Sequence, residues 1–152
     1  RVHIMIYELP DDILIQICDL LRQPALSHVC HYLWQLLRCR HMTCHVNAST
    51  IDSLMVLLGN DSAIQTLHIH CKGFGFPVQA LSGLQRLPAL NTLWLDLQGL
   101  DSVGNDGAYA LAALQHTPKL TDLSINLHEN RVGDLGVQAI AQLRALARLE
   151  YS

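Results

Sequence analysis

Leu90-Asn91-Thr92-Leu93-Trp94-Leu95 is the stretch that decides the fold, because its leucines occupy the first, fourth and sixth positions. The same apolar frame occurs three more times, as Ile64, Leu67 and Ile69, as Leu120, Leu123 and Ile125, and as Leu146, Leu149 and Tyr151. The frames follow one another at nearly regular intervals. Within each frame the apolar and polar residues alternate at the end, which predicts a short strand with every second side chain turned inward.

A second element repeats in phase with the last frames. Val103 to Gly107, with Ala110 and Leu111, recurs in the following interval as Val132 to Gly136, with Ala139 and Ile140. Its spacing predicts an amphipathic helix, in which Asp106 or Asp134 is available to cap the first turn. One strand and one helix cannot bury their own apolar faces, so stacked units are required. The predicted fold class is therefore α/β, with a parallel sheet on one side and helices on the other.

This pattern resembles the leucine-rich repeat family, in its longer helix-containing form, over residues 41–152. The resemblance implies a solenoid of about four to five repeats, with strands on the concave side and helices on the convex side, truncated at its C-terminus. His41, Cys44 and Val46 are the expected first, degenerate strand, followed by a helix up to Leu58. The Asn of the family pattern is best matched by Asn130, and by Asp101 in the preceding repeat. The alternative is an unrelated Leu-rich helical domain.

Residues 1–40 have a different character and form a separate predicted helical segment. Asp11 and Asp12 follow Pro10 as first-turn residues, and the apolar residues of 13–21 cover more than half of a helix. A second helix is predicted over 25–38. Two short helices cannot bury a core alone, so we expect them to pack on the first repeat, on another protein, or on both.

The same segment resembles the F-box, in the residues Leu9-Pro10-Asp11-Asp12-Ile13-Leu14 and in Val29-Cys30 followed by Trp34. The resemblance implies docking to the small Skp adaptor of cullin-based ubiquitin ligases, with the repeats that follow selecting a substrate protein. The adaptor-docking residues expected from it are Leu9, Pro10, Ile13, Leu14, Ile17, Leu20, Val29 and Trp34. The alternative is a helical layer that only seals the end of the solenoid.

Strand alternation predicts which side chains leave the concave face. The central row is expected to be His45, His68, Trp94, Ser124 and Glu150. The flanking rows are expected to be Thr43, Thr66, Thr92, Asp122 and Arg148 on one side, and Asn47, His70, Asp96, Asn126 and Ser152 on the other. From these rows, the predicted partner-binding residues are His45, His68, His70, Trp94, Asp96, Asp122, Ser124 and Asn126. An exposed Trp94 beside His68 and Asp96 is typical of a protein-binding anchor. The alternative is an ordinary solvated polar face.

Composition excludes several function classes. The chain has 152 residues, a net charge of −3 and only two lysines, so it lacks the basic surface that nucleic-acid binding needs. Apolar runs such as Leu54 to Leu58 are far too short to span a membrane. Five cysteines, an odd number, without a secretory signal predict reduced thiols in an intracellular compartment, of which the organelle stays unassigned.

Two short motifs point weakly to other chemistry. Lys72-Gly73-Phe74-Gly75-Phe76 matches the start of an RNA-binding signature, but Pro77 follows where a central strand should continue. We interpret it as an aromatic loop between a strand and a helix.

Cys39, His41, Cys44 and His45, with His68, His70 and Cys71 further on, are possible zinc ligands without a standard spacing. If the repeat frame is right, Cys44 points into the core as a small apolar residue. The non-standard spacing and the core position of Cys44 predict no metal site. Nothing in the sequence places an oxyanion hole or an activating base, so we also predict no enzymatic activity and no cofactor.

The sequence thus predicts a non-enzymatic protein-interaction module. Together with the two resemblances, the expected role is that of a substrate receptor in a cullin-based ubiquitin ligase, with a Skp-type adaptor and a substrate protein as partners. The alternative, favoured by low charge and positive mean hydropathy, is a structural repeat subunit covered by its neighbours in a large assembly.

Overall fold

A computed structural model describes residues 9–21, 40–59, 63–100, 103–143 and 147–150. The chain divides into two compact units, Arg1–Met42 and Thr43–Ser152. Each unit is described by itself below. Of the predicted N-terminal elements, the second helix over 25–38, with Val29 and Trp34, lies outside the described residues.

The first unit contains helix α1, Asp11–Leu21. Pro10 cannot donate a backbone hydrogen bond, but its carbonyl accepts the amides of Ile13 and Leu14 at 3.0 and 3.1 Å, and this closes the first turn. The carboxylates of Asp11 and Asp12 lie in that turn, where the partial positive charge of the helix N-terminus favours them. The predicted first helix is therefore confirmed.

The second unit is built on a five-stranded sheet whose spatial order follows the chain, β1 to β5. The strands are β1 His41–Val46, which crosses the boundary between the units, β2 Thr66–Cys71, β3 Thr92–Asp96, β4 Asp122–Asn126 and β5 Ala147–Glu150. The pairs β2/β3, β3/β4 and β4/β5 are all parallel. A parallel sheet with helical segments between its strands confirms the α/β class.

A helical segment follows each of the first four strands. These segments are α2 Ile51–Gly59, a 3-10 helix Val78–Arg86, α3 Asn105–Ala112, which continues as a short 3-10 turn to His116, and α4 Asp134–Ala141. Successive segments pack against one another: α2 and α3 both contact the 3-10 helix, and α3 contacts α4. Because each segment packs against the next, the apolar faces of the segments are buried without a second sheet.

The three central strands pair in the register that the sequence predicts. Leu67 lies opposite Leu93, and Leu93 lies opposite Leu123. All three are at most 2% exposed, so the alternate positions form a continuous buried layer. His68 and Trp94 alternate with these leucines and are only half-buried. The predicted inward and outward sets of these strands are therefore confirmed.

The predicted pairing of β5 is wrong by two residues. Leu149 lies opposite Ile125 rather than Leu123, so Arg148 lies opposite Ser124 and Glu150 opposite Asn126. A shift of two residues leaves every position on its original face, because side chains alternate with a period of two. Apolar alternation alone cannot distinguish the two pairings.

The first strand departs from prediction in the same way. The Val46 carbonyl accepts the Lys72 amide at 2.9 Å. In a parallel ladder this bond places Val46 opposite Cys71, the residue before Lys72, and therefore His45 opposite His70. The predicted neighbour of His45 in its row was His68, which is wrong, although the strand itself and its outward positions are confirmed. Cys44 is half-buried rather than a core residue.

The prediction that Asp106 or Asp134 caps its own helix is also wrong. The residues before α3 and α4 are Gly104 and Gly133, and neither helix has a side-chain cap of its own. The Asn105 side chain, at the start of α3, instead accepts the amides of Gly133 and Gly136 at 3.1 and 3.0 Å through Oδ1. It satisfies two otherwise unpaired donors at the N-terminus of α4, the following helix.

The bends after β3 and β4 are tied together by Asn130. Its Nδ2 donates to the carbonyls of Leu97 and His128 at 2.8 and 3.2 Å. Asn130 was the predicted match to the family Asn, and the structure places its amide on the backbone of two adjacent bends. Asp101, the match in the preceding repeat, lies outside the described residues.

Candidate protein-binding face

Eight side chains on the outward positions of β1 to β4 make up the polar face, which is defined by His45, His68, His70, Trp94, Asp96, Asp122, Ser124 and Asn126. His45 and Asp122 are exposed and the other six are half-buried. Neighbouring strands in a sheet are about 4.8 Å apart, so residues opposite one another are within reach of their side chains. The structure thus brings together all eight residues that the sequence predicted for partner binding.

Asp96 is the centre of a hydrogen-bond network on the polar face. Its Oδ1 accepts Asn126 Nδ2 at 3.0 Å and the Gln98 amide at 3.4 Å. Its Oδ2 faces Nδ1 of His70 at 3.4 Å. Asn126 is held in turn, because its Oδ1 accepts the amide of His128 at 3.0 Å. The carboxylate is therefore fixed in position by residues of β2, β4 and the bend after β3.

The rings of His68 and His70 contact Trp94, and the ring of His45 stacks on His70. The imidazoles of His45 and His70 are stacked, with centroids 4.5 Å apart and planes 16° apart. His70 meets Trp94 edge-on at 4.7 Å, and His68 is tilted against it at 5.8 Å. Such ring pairs restrict the rotamers of the indole in addition to burying area. The contacts with His68 and His70 therefore favour the orientation in which Trp94 is found.

Two ionisable side chains of β2 have shifted pKa values, and both shifts favour the uncharged form. Burial, and secondly the charge of His70, lower the pKa of His68 below its ordinary value of 6.5. Burial, and secondly the charge of Asp96, raise the pKa of the Cys71 thiol to about 12. Cys71 is therefore an uncharged thiol and a poor nucleophile or metal ligand.

The cysteine and histidine residues do not assemble into a metal site in the part of the chain that the structure describes. No group of three or more His, Cys, Asp or Glu side chains there is arranged to hold a metal ion. Cys44 and Cys71 form no disulfide bond, and Cys39 lies outside the described residues. Pre-positioned hydrogen-bond groups and a half-exposed indole suit the binding of another molecule.

The predicted adaptor-docking residues of the first unit are divided between exposed and buried positions. Ile13 and Leu20 are 37% and 85% exposed, whereas Leu14 is fully buried. Leu9 and Ile17 are half-buried and Pro10 is exposed. Because Leu14 has no exposed area, it cannot contribute to a docking surface, whereas Ile13 and Leu20 on the same helix can.

The aromatic loop interpretation of Lys72 to Phe76 is confirmed. Strand β2 ends at Cys71, so the two phenylalanines do not lie on a strand as base-stacking aromatics would. Phe76 is buried as part of the core, and Phe74 is 89% exposed. The loop joins β2 to the 3-10 helix.

Two contributors to the polar face were missed by the sequence analysis. Gln98 and His128 act through their backbone amides, which orient Asp96 and Asn126. Both bonds are Asx turns, in which an Asp or Asn side chain accepts the amide two residues further on, so Asp96 and Asn126 at the ends of their strands were the signal that could have identified them. Among the described residues, no helix is long and apolar enough to cross a membrane.

Comparisons with known proteins give a structural likeness and no family. No family model matches the chain, and no curated protein matches it. Among solved structures, the chain is similar to one described as Leiomodin-1 Actin-Binding Site 2 (ABS2), with a TM-score of 0.56 and 15% identity. The likeness covers 99% of this chain and 81% of that chain. At this identity it concerns the fold alone.

Proposed function

We propose that the second unit is a leucine-rich repeat solenoid that binds another protein through the polar face, without catalysing a reaction. The observation that carries this proposal is the row of His70, Asp96 and Asn126, joined by hydrogen bonds across three strands beside a half-exposed Trp94. Interfaces of this kind use a few rigid aromatic anchors surrounded by polar groups.

The regularity of the repeat supports the solenoid. Buried leucine positions of β2, β3 and β4 stand opposite one another, and successive helical segments pack in chain order. The left-handed residues after β3 and β4, Gly99 and Glu129, lie at equivalent places in their bends. Each unit thus uses its neighbour to complete its core, as in repeat proteins.

We further propose that α1 docks a Skp-type adaptor and that the whole chain acts as the substrate receptor of a cullin-based ubiquitin ligase in a reducing intracellular compartment. Support comes from the F-box-like residues 9–20 and from the exposure of Ile13 and Leu20 on α1. Ile13 and Leu20 are seven residues apart, on one face of the helix, so their exposed side chains can belong to one docking surface.

Binding of purified Skp adaptor to the full chain tests this role. The unmodified chain should bind at micromolar concentration, and the double variant I13D/L20D should bind at least tenfold more weakly. Leu57→Asp is the matched control, because Leu57 is an aliphatic residue of similar exposure on α2, at 69%, and its change should leave binding intact. Absence of binding by the unmodified chain, or equal loss in the control, would contradict the adaptor role.

A structural subunit of a large assembly is the second candidate. Exposed aliphatic residues on the helical segments favour it, including Leu57, Leu135 and Val137 at 69%, 57% and 44%. Recovery of the chain only inside a large complex that lacks the adaptor would support this role. The leiomodin fragment is named as an actin-binding site, so filamentous actin is a useful second bait, with co-sedimentation as the measurement.

A further inference from the structure

We infer that the polar face receives an arginine side chain of its protein partner, stacked on Trp94 and hydrogen-bonded to Asp96. The inference rests on the proposed function, and it specifies the chemistry of the partner. It follows from the charge of the face, the unused acceptor capacity of one carboxylate and the position of one indole.

The charge of the face selects a cation. On the described outward positions of β1 to β4 the permanently charged groups are Asp96 and Asp122, with no lysine or arginine among them. Complementarity between opposite charges sets partner choice at an interface. A cationic residue is therefore the matching group on the partner.

Asp96 has room for one more donor. A carboxylate offers about four lone-pair sites. Oδ1 uses two of them for Asn126 and the Gln98 amide, and Oδ2 uses one for His70. The side chain keeps 26% of its area exposed, so a further donor can reach the carboxylate. Because the carboxylate is already held by three partners, little conformational entropy is lost when a fourth donor arrives.

Trp94 provides the stacking surface next to this carboxylate. Both residues lie on β3, two positions apart on the same face, so their Cα atoms are separated by about 6.6 Å. The rings of His70 and His68, both on β2, contact the indole from one side. A guanidinium is planar, stacks on aromatic faces and presents a fork of N–H donors, whereas an ammonium is a point charge. The geometry thus favours arginine over lysine.

The probe for this inference is acetylated octa-arginine, titrated into the isotope-labelled full chain and followed through the backbone amide shifts of Gln98 and Asn126. Octa-lysine is the comparison peptide. We expect octa-arginine to bind at least fivefold more tightly than octa-lysine. Equal affinity for the two peptides, or no shift of these amides with octa-arginine, would overturn the inference.

Three variants separate the site from general attraction. Asp96→Asn and Trp94→Leu should each weaken octa-arginine binding at least fivefold, whereas Trp94→Phe, which keeps an aromatic face, should retain part of it. Asp106→Asn removes the same charge from an exposed position on α3 and should change the affinity by less than twofold. Equal effects at Asp96 and Asp106 would mean unspecific attraction to an acidic chain.

If Asp96→Asn fails to fold, the comparison of Trp94→Leu with Trp94→Phe still decides the question, and equal affinities of these two would overturn the inference. Adaptor binding to α1 is measured separately. A chain that binds the adaptor but shows no arginine preference would refute only this inference.

Discussion

Gly136 lies where two helices come closest, and its replacement by alanine is expected to be strongly destabilising. A Cβ atom there would lie 2.7 Å from Val132 Cγ1, 2.8 Å from Asn105 Oδ1 and 3.0 Å from Ala108 Cβ. Ordinary contacts between heavy atoms begin near 3.5 Å, so α4 has to move away from α3 by about 0.7 Å to clear Asn105 Oδ1, and the side chain of Val132, which precedes α4 in the chain, has to move as well. Overpacking of this kind costs about 1–3 kcal/mol.

The same movement weakens the two hydrogen bonds that Asn105 accepts from the start of α4. Each of these bonds contributes about 0.5–1.5 kcal/mol to the free energy of unfolding. Alanine recovers about 1 kcal/mol of helix propensity relative to glycine. The balance predicts that Gly136→Ala lowers the free energy of unfolding by about 3 kcal/mol, an estimate that adds the separate terms.

Gly107 is the matched control, since it occupies the equivalent position of α3, in the preceding repeat. A Cβ there would meet Val103 and Val78 side-chain carbons at 3.4 Å, which is close to ordinary contact. Gly107→Ala should therefore stay within about 1 kcal/mol of the parent chain, because the gain in helix propensity offsets the tighter contact.

Urea denaturation of both variants, followed by circular dichroism, measures the difference. The variant Asn105→Ala completes a double-mutant cycle: it should cost less in the Gly136→Ala background, where its hydrogen bonds are already weakened. A Gly136→Ala variant as stable as Gly107→Ala would refute the proposed close approach of α3 and α4.

Three further predictions concern the sheet. Leu93→Ala should lower the free energy of unfolding by about 2–5 kcal/mol because it leaves a core cavity, whereas Trp94→Ala should change this free energy little and weaken partner binding. If denaturation and binding assays show Trp94→Ala to be the more destabilising variant with binding intact, the strand register is contradicted. Iodoacetamide should alkylate Cys71 far more slowly in the folded chain than in the urea-unfolded chain, because burial raises the pKa of its thiol to about 12. Peptide mass spectrometry measures the two rates, and similar rates would contradict the burial of Cys71. The imidazole of His68 should titrate with a midpoint below pH 6.5 in NMR spectra, and a midpoint above 6.5 would contradict this. Because the unfolded chain then binds more protons than the folded chain near pH 6, the contribution of His68 to the free energy of unfolding should fall as the pH decreases.

The sequence was sufficient to predict the side of the sheet on which each side chain lies, but not which residues of neighbouring strands lie opposite one another. Alternation at Leu67, Leu93 and Leu123 identified the buried side of three strands, and the eight residues of the polar face followed from it. The pairings of β1 and β5 were each wrong by two residues, because such a shift exchanges no side chain between faces. Only the backbone hydrogen bonds determine which neighbours meet.

The helix termini were mispredicted for a different reason. Local rules assign a cap to the nearest suitable side chain, which made Asp106 and Asp134 the candidates. The acceptor at the start of α4 comes instead from Asn105, 28 residues before Gly133. Contacts over that sequence separation depend on how two helices approach one another, and no local pattern encodes this approach.

The capping of α4 by Asn105 makes the two neighbouring units thermodynamically dependent on one another. When α3 unravels, α4 loses the acceptor for two of its first amides, so opening of one helix lowers the free energy needed to open the next. In a nearest-neighbour description of the array, this side chain contributes to the interface energy rather than to the intrinsic stability of either unit. A chimaera that transplants α4 behind a different helix would therefore need an Asn, Asp or Ser at the position of Asn105 to keep the junction cooperative.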